Sequence, residues 1–280
     1  MLPIAGTILL ETVKVVLLVF AMMLVVDLLN VRTSGRISGL LRGSAPWRQY
    51  VFAPLVAVLP GCVGAFSVVS LYVHGMISFG ALAGAMLAAS GDEAFVMLAL
   101  FPEDAVLLFA VLALSGMLLG WITDVVVRRF KITTCEDCTA AILHPSEGGL
   151  RHYLRDHVWQ HIVRRHLRRT ALWTFGALLV VELGMRHANL SGLTSQYPLA
   201  LLAAAALLGL IPESGPHLII VTLFANHLVP FSVLLTSSIV QDGHGMLPML
   251  AHSVRASLVL KAFNLTFGFV IGLIVYLAGY

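Results

Sequence analysis

The chain contains one stretch of sequence twice. LPGCVGAFSVVSLYVHGMISFGALAGAMLAASGDEAFVMLA, from Leu59, aligns without a gap on IPESGPHLIIVTLFANHLVPFSVLLTSSIVQDGHGMLPMLA, from Ile211, 152 residues later. The shift pairs Pro60 with Pro212, Val69 with Val221, Phe79 with Phe231, Leu82 with Leu234, Gly91 with Gly243 and Met97-Leu98-Ala99 with Met249-Leu250-Ala251. Hydrophobic residues make up 59% of the 280 and charged residues 11%. With a mean hydropathy of +0.94 the chain has too little polar surface to cover a water-soluble globule. In so apolar a chain, duplicated halves that both carry Pro/Gly breaks and polar residues point to a transporter with its site at the bilayer midplane.

Segments 7–29, 106–127 and 258–277 are each long enough to cross about 30 Å of hydrocarbon at 1.5 Å per residue. Alternating ten-residue strands are missing, so the expected fold is an all-α polytopic membrane protein and not a barrel. The first apolar segment lacks a basic n-region, because Glu11 precedes Lys14, and reaches Asp27 without a small-residue cleavage site; it reads as a retained helix. The net charge of +3 carries no nucleic-acid signal, because the basic residues gather at membrane flanks and not in an extended interleaved patch, and no nucleic-acid partner is expected.

Segment 31–50 holds Arg32, Arg36, Arg42 and Arg48 with no acid, and 128–170 holds nine Lys/Arg against four acids, so both are expected in the cytosol. The chain between them must cross an even number of times although it contains three apolar segments. Segment 77–101, interrupted at mid-depth by Ser90-Gly91-Asp92-Glu93, is expected to be a re-entrant hairpin. Each repeat then reads as a helix, a helix broken at Pro60 or Pro212, a hairpin with its tip at Gly91 or Gly243, and a final helix. Three crossings per repeat make the second copy inverted. The units are transmembrane repeat 1 (1–130), a Cys/His/Arg-rich linker (131–169) and transmembrane repeat 2 (170–280). The linker is expected in the cytosol and both termini outside, in the plasma (inner) membrane of a bacterium.

Polar chemistry gathers at the breaks and tips. One tip offers Ser90, Asp92 and Glu93; the other offers Gln241, Asp242 and His244. A carboxylate at the bilayer centre costs about 2.5–3.5 kcal/mol on insertion scales. Helix capping is the plain account of such acids, but acids at both tips of a repeat favour ligands. The second break adds Glu213, Ser214 and His217, and the first adds Cys62. Glu213 and His217 are four apart, a half-site whose oxygen and imidazole donors suit Mn²⁺, Fe²⁺, Co²⁺ or Zn²⁺. Asp92, Glu93, Glu213, His217, Asp242 and His244 are therefore the candidate metal ligands. Cys62, Ser90, Ser214, His74, Asn226, His227 and Gln241 are supporting or gating candidates, and Pro60, Gly61, Gly91, Pro212, Gly215 and Gly243 are hinges. Arg255 and Lys261, on the last helix, either balance the acids or snorkel.

In the linker, Cys135, Cys138, His144, His157 and His161 supply donors for an accessory metal. The arginines beside them equally suit a helix lying on anionic lipid. The CxxC is expected to stay reduced in the cytosol.

The run HGMISFGAL to SGDEAF, with IPESGPH and QDGHG, resembles the ten-span heavy-metal exporter family that carries an arsenic-permease-like label and whose members are called manganese transporters. The resemblance covers nearly the whole chain. Counting each hairpin limb as a helix gives five per repeat, in keeping with ten spans. It implies efflux of a divalent metal, with Mn²⁺ the first expectation, as cargo and not as a permanent cofactor. Protons are the expected counter-substrate, because they compete at the same carboxylates; with no GxxxxGK[ST] loop to use a nucleotide, energy is expected from a gradient or from an unseen partner. A homodimer is compatible with such a chain. The alternatives are an intramembrane lipid-pyrophosphate phosphatase, for which neither break nor tip supplies a cation, and an arsenical or anion exporter, which Cys62 alone supports.

Overall fold

The computed structural model describes residues 46–73, 75–132, 198–212, 214–246 and 253–280, with 6, 9–10, 12–14, 16–17, 20–21, 171–172, 175–176, 178–179, 183 and 249–250. His74, Glu213, the side chain of His244 and the linker candidates Cys135, Cys138, His144, His157 and His161 lie outside the described residues.

Every regular element among the described residues is helical. In chain order they are α1 (Pro46–Ala57), α2 (Val63–Val73), α3 (Phe79–Ala88), α4 (Glu93–Leu100), α5 (Pro102–Phe130), α6 (Pro198–Gly209), α7 (His217–Ala225), α8 (Phe231–Val240), a 3₁₀ turn (Gly243–Gly245) and α9 (Val254–Leu277). Helices α6 and α8 begin and end 152 residues after α1 and α3, and α9 begins 152 after α5. The shift seen in the sequence is thus the shift of the architecture. Among the described residues three stretches are long and apolar enough to span a bilayer: Phe79–Leu100, Pro102–Arg129 and Val254–Leu277. The first has 94% of its apolar window buried, against 39% and 22% for the others, so protein encloses it while the others turn flanks to lipid. The chain is an integral membrane protein built from helices.

Local chemistry sets the helix ends. Ser78 caps α3 by accepting from Ala81 N at 3.1 Å, and Ser253 caps α9 by accepting from Ala256 N at 3.2 Å. Helix α5 opens with Pro102, Glu103 and Asp104 and closes with Arg128 and Arg129, each charge matching the dipole end it sits on. Between α1 and α2 the chain reverses at Pro60 and Gly61, the latter at φ +102°, where an L side chain is strained.

The structure exchanges the roles expected for two segments of each repeat. Gln49, at the start of α1, accepts from Ser78 N at 3.1 Å, placing both ends of the α1–α2 segment at the level where α3 begins. Its turn lies elsewhere, at the interruption of 79–100, where Gly61 N donates to Gly91 O at 3.0 Å and Ser90 Oγ donates to Val58 O at 2.9 Å. The proline segment is therefore the hairpin, with α1 and α2 as its limbs. Helices α3 and α4 are instead successive halves of one interrupted rod that runs antiparallel to α5. Gly80 meets Gly120 and Asp124, Gly84 meets Gly116, and α4 packs on the early turns of α5. The expectation of a hairpin at Gly91 and a proline-broken span at Pro60 fails because Gly91 interrupts the helix without reversing it, whereas Pro60-Gly61 turns the chain back.

Helix α5 lies on α3 through backbone contact. A Cβ on Gly84 or Gly116 would strike the other's carbonyl oxygen, and one on Gly80 would come within 2.5 Å of Asp124 Cγ. Gly268 and Gly272 of α9, each 152 residues after Gly116 and Gly120, receive Val240 and Thr236 of α8 in the same manner. Small residues let membrane helices approach this closely, which replaces the hydrophobic drive that lipid removes. Asp124 completes the first interface, accepting from Tyr50 Oη at 2.6 Å and Gly80 N at 2.7 Å.

Among the described residues the buried apolar side chains form two clusters, and each mixes the repeats. One joins Leu87, Phe95, Val96 and Leu112 to Leu218, Val221, Leu234 and Ile239; the other joins Ala65, Val68, Leu82 and Met86 to Met246, Met249 and Leu260. The hairpin of one repeat thus packs with the far half of the interrupted rod of the other.

Gly116→Val should destabilise the protein by about 1–3 kcal/mol, because the added methyls meet backbone and Ala88. Leu114→Ala, at a 66% exposed position on the same helix, should have little effect. Thermal unfolding of both variants in detergent, followed by size-exclusion chromatography, checks the contrast.

Candidate functional site

Both hairpin turns and both rod interruptions meet in one buried place. Gln241 Nε2 donates to Ala89 O at 3.2 Å, and a Cβ built on Gly243 would lie 3.7 Å from Gly91 Cα. Both are contacts between residues 152 apart, so each interruption touches its own equivalent. Gly91 (φ +60°) and Gly243 (φ +52°) both occupy left-handed conformations, and a side chain on either would crowd this junction.

Glu93 is 2% exposed and neither carboxylate oxygen makes a hydrogen bond. It folds back over Gly91, where a Cβ would lie 2.5 Å from Oε2, and the Ser214 hydroxyl adjoins it from the second hairpin without a bond of its own. Ser214 also faces Gly243, whose Cβ would stand 3.4 Å from Oγ. His217, the first residue of α7, has Nδ1 3.0 Å from Ser237 Oγ on α8 while Nε2 is buried without a partner. Gln241 keeps Oε1 unpartnered as well. An unsatisfied buried polar atom costs about 1–3 kcal/mol, and more when charged. Glu93, Ser214, His217 and Gln241 concentrate that cost around the junction.

Two other acids are engaged. Asp92 accepts from Cys62 Sγ at 3.1 Å, so the first hairpin's thiol serves the first rod's interruption. Asp242 pairs with Lys261 Nζ at 2.5 Å and accepts from Asn264 Nδ2. Of the two roles open to Lys261, balancing an acid is the one it takes; Asn264 was not anticipated, although the three-residue spacing puts both on one face of α9. Asp124 with Tyr50 was also missed, its one sequence signal being an acid one turn before Arg128 near the end of a span.

Asn226 and His227 follow the last turn of α7 and are exposed, with Asn226 Nδ2 donating to Thr222 O at 2.8 Å. A nine-residue helix is ~13 Å long, so they stand at the mouth of the second hairpin and not at the junction. Pro60, Gly61, Pro212 and Gly215 lie in the hairpin turns. Among the described residues no three His, Cys, Asp or Glu side chains group as a metal site. Glu213 and the His244 side chain, which the sequence adds to the candidate set, are outside them.

No curated protein and no solved structure matches the chain. One family model does, over residues 11–146 and 153–278. The match takes in both repeats and nearly the full length, and on it the chain belongs to the family described as "Putative, 10TM heavy-metal exporter".

Proposed function

We propose that this protein is a secondary transporter that exports a divalent transition metal, Mn²⁺ foremost, from the cytosol in exchange for protons. The observation that carries the reading is the set of unpartnered donors at the junction: both Glu93 oxygens, Ser214 Oγ, His217 Nε2 and Gln241 Oε1. Carboxylate, hydroxyl, amide and imidazole are the ligands a borderline-hard dication accepts in place of water. In a protein interior such atoms stay bare only at a cost that a ligand repays. A carboxylate that binds either a dication or a proton couples the two fluxes, and acidifying the loading side suppresses metal binding.

The two repeats supply the alternation. Contacts between equivalents support a two-fold relation at the junction, whose axis three crossings per repeat would lay in the membrane plane. The arginines after α5 put the mouth of the α1–α2 hairpin at the cytosol, and the relation puts the mouth of the α6–α7 hairpin outside. Each hairpin tip then seals the site from one side. A lipid-pyrophosphatase reading gains nothing, since Lys261 serves Asp242 and helix ends instead of a phosphate.

Trp47→Cys and Leu199→Cys replace exposed equivalents at the starts of α1 and α6. In a background without Cys62, Cys135 and Cys138, a membrane-impermeant maleimide should label the first only from the cytosolic side and the second only from outside. Labelling of both from one side would rule out inversion.

In proteoliposomes with a pH gradient, Mn²⁺ flux should fall at least about tenfold in Glu93→Gln, the loss of one charged ligand, and several-fold in Ser214→Ala. Full flux in both variants would remove the junction from the path, while transport of trivalent arsenic without Mn²⁺ would establish the arsenical alternative.

A further inference from the structure

Lys261 Nζ sits among three oxygens. It lies 2.5 Å from Asp242 Oδ2 and donates to Gly209 O at 2.8 Å and Val240 O at 3.3 Å. Gly209 ends α6 and Val240 ends α8, so two helix C-termini and a carboxylate turn their negative ends on one cation. The ammonium thus faces one carboxylate oxygen and two backbone carbonyls, as many oxygens as it has N–H groups. Asn264, fully buried, holds Asp242 with Nδ2 and keeps its own Oδ1 unpartnered.

We propose that this cradle is a cation site of the transport path, filled by the Lys261 ammonium in the unloaded protein and given up to the transported dication on loading. The inference rests on the metal-export reading above and adds an internal cation that competes with the cargo.

Three observations carry it. The donors are a carboxylate and backbone carbonyls, the oxygen set that hard and borderline dications prefer, and the ends of interrupted helices are where membrane transporters coordinate cations. Second, the device belongs to one repeat only. The residues 152 positions earlier are Ser90 for Asp242, Phe109 for Lys261 and Leu112 for Asn264, so acid, base and amide are present or missing together. Third, charge balance at Asp242 favours the exchange. Asp242 and Lys261 are neutral as a pair, so a dication held beside them by Glu93 would leave one uncompensated positive charge in a low-dielectric interior. With the ammonium withdrawn, Asp242 and Glu93 neutralise the dication, and a buried charge persists only when matched. The lysine stem is flexible and its side chain 13% exposed, which leaves it room to swing out.

The test uses the full chain in detergent with Mn²⁺ as the probe. Replacing Lys14 and Lys131 with arginine leaves Lys261 as the remaining lysine. Reductive methylation, read by peptide mass spectrometry, should then modify Lys261 about tenfold faster in saturating Mn²⁺ than without metal. Equilibrium binding of radioactive Mn²⁺ should be about tenfold tighter in Lys261→Met and Lys261→Gln than in the parent, since the competitor is gone. Adding Asp242→Asn should abolish the gain.

Methylation that is unchanged or slowed by Mn²⁺, or variants that bind as weakly as the parent or more weakly, would make Lys261 a mere tie between helix ends and overturn the proposal. Should both lysine variants fail to fold, the methylation result decides alone. A parent that binds Mn²⁺ and transports it while Lys261 stays protected defeats only this inference; a parent with neither binding nor flux defeats the export reading and this inference with it.

Discussion

Interrupting a helix inside a bilayer strands backbone N–H and C=O groups where neither water nor lipid can pair with them. In this protein the four interruptions answer one another: Gly61 N with Gly91 O, Ser90 Oγ with Val58 O, Gln241 Nε2 with Ala89 O, and Lys261 Nζ with Gly209 O and Val240 O. No single interruption supplies all its own partners. Both hairpins and both rods must therefore converge, and the convergence fixes the depth of each hairpin, the register of each rod and the place of every central polar side chain.

Packing around the junction follows from that requirement. The limbs of the first hairpin close on each other at a small residue, Gly64 on Val56 and Ala57, while the far half of the rod packs with the opposite repeat. The exchange of halves makes the repeats one body, since neither could bury its polar centre alone. It also leaves the centre asymmetric. Repeat 1 contributes an unpaired carboxylate at Glu93 and a thiol on Asp92; repeat 2 contributes His217 and an acid already matched by a base. A site of this kind has equal scaffolding on both sides and unequal chemistry, which allows one cargo to be held by donors of different strength from its two sides.

Much of this was legible in the residues. The constant shift placed equivalent helices, Pro60, Gly91, Pro212 and Gly243 marked where helices stop, and the acids at Asp92, Glu93 and Asp242 marked where charge is buried. The direction of the chain after each stop was not legible. A glycine in the left-handed region turns the backbone at both Gly61 and Gly91, yet one turn reverses the chain and the other continues it, because the outcome depends on what packs beyond. Nor did the sequence say which acid is bare. Asp242 and Glu93 look alike in a run of apolar residues, and only α9 lying alongside α8 brings Lys261 to one of them.

The sequence by itself determined that the chain is an all-helical membrane protein made twice over, since hydrophobic length and a fixed shift are properties of the order of residues. Tertiary structure decided which segments double back, which polar atoms stay unpaired and where the internal cation sits. Those outcomes depend on contacts between helices some 150 residues apart, and the free energy of a buried charge is set by its neighbours in space and not by its neighbours in the chain.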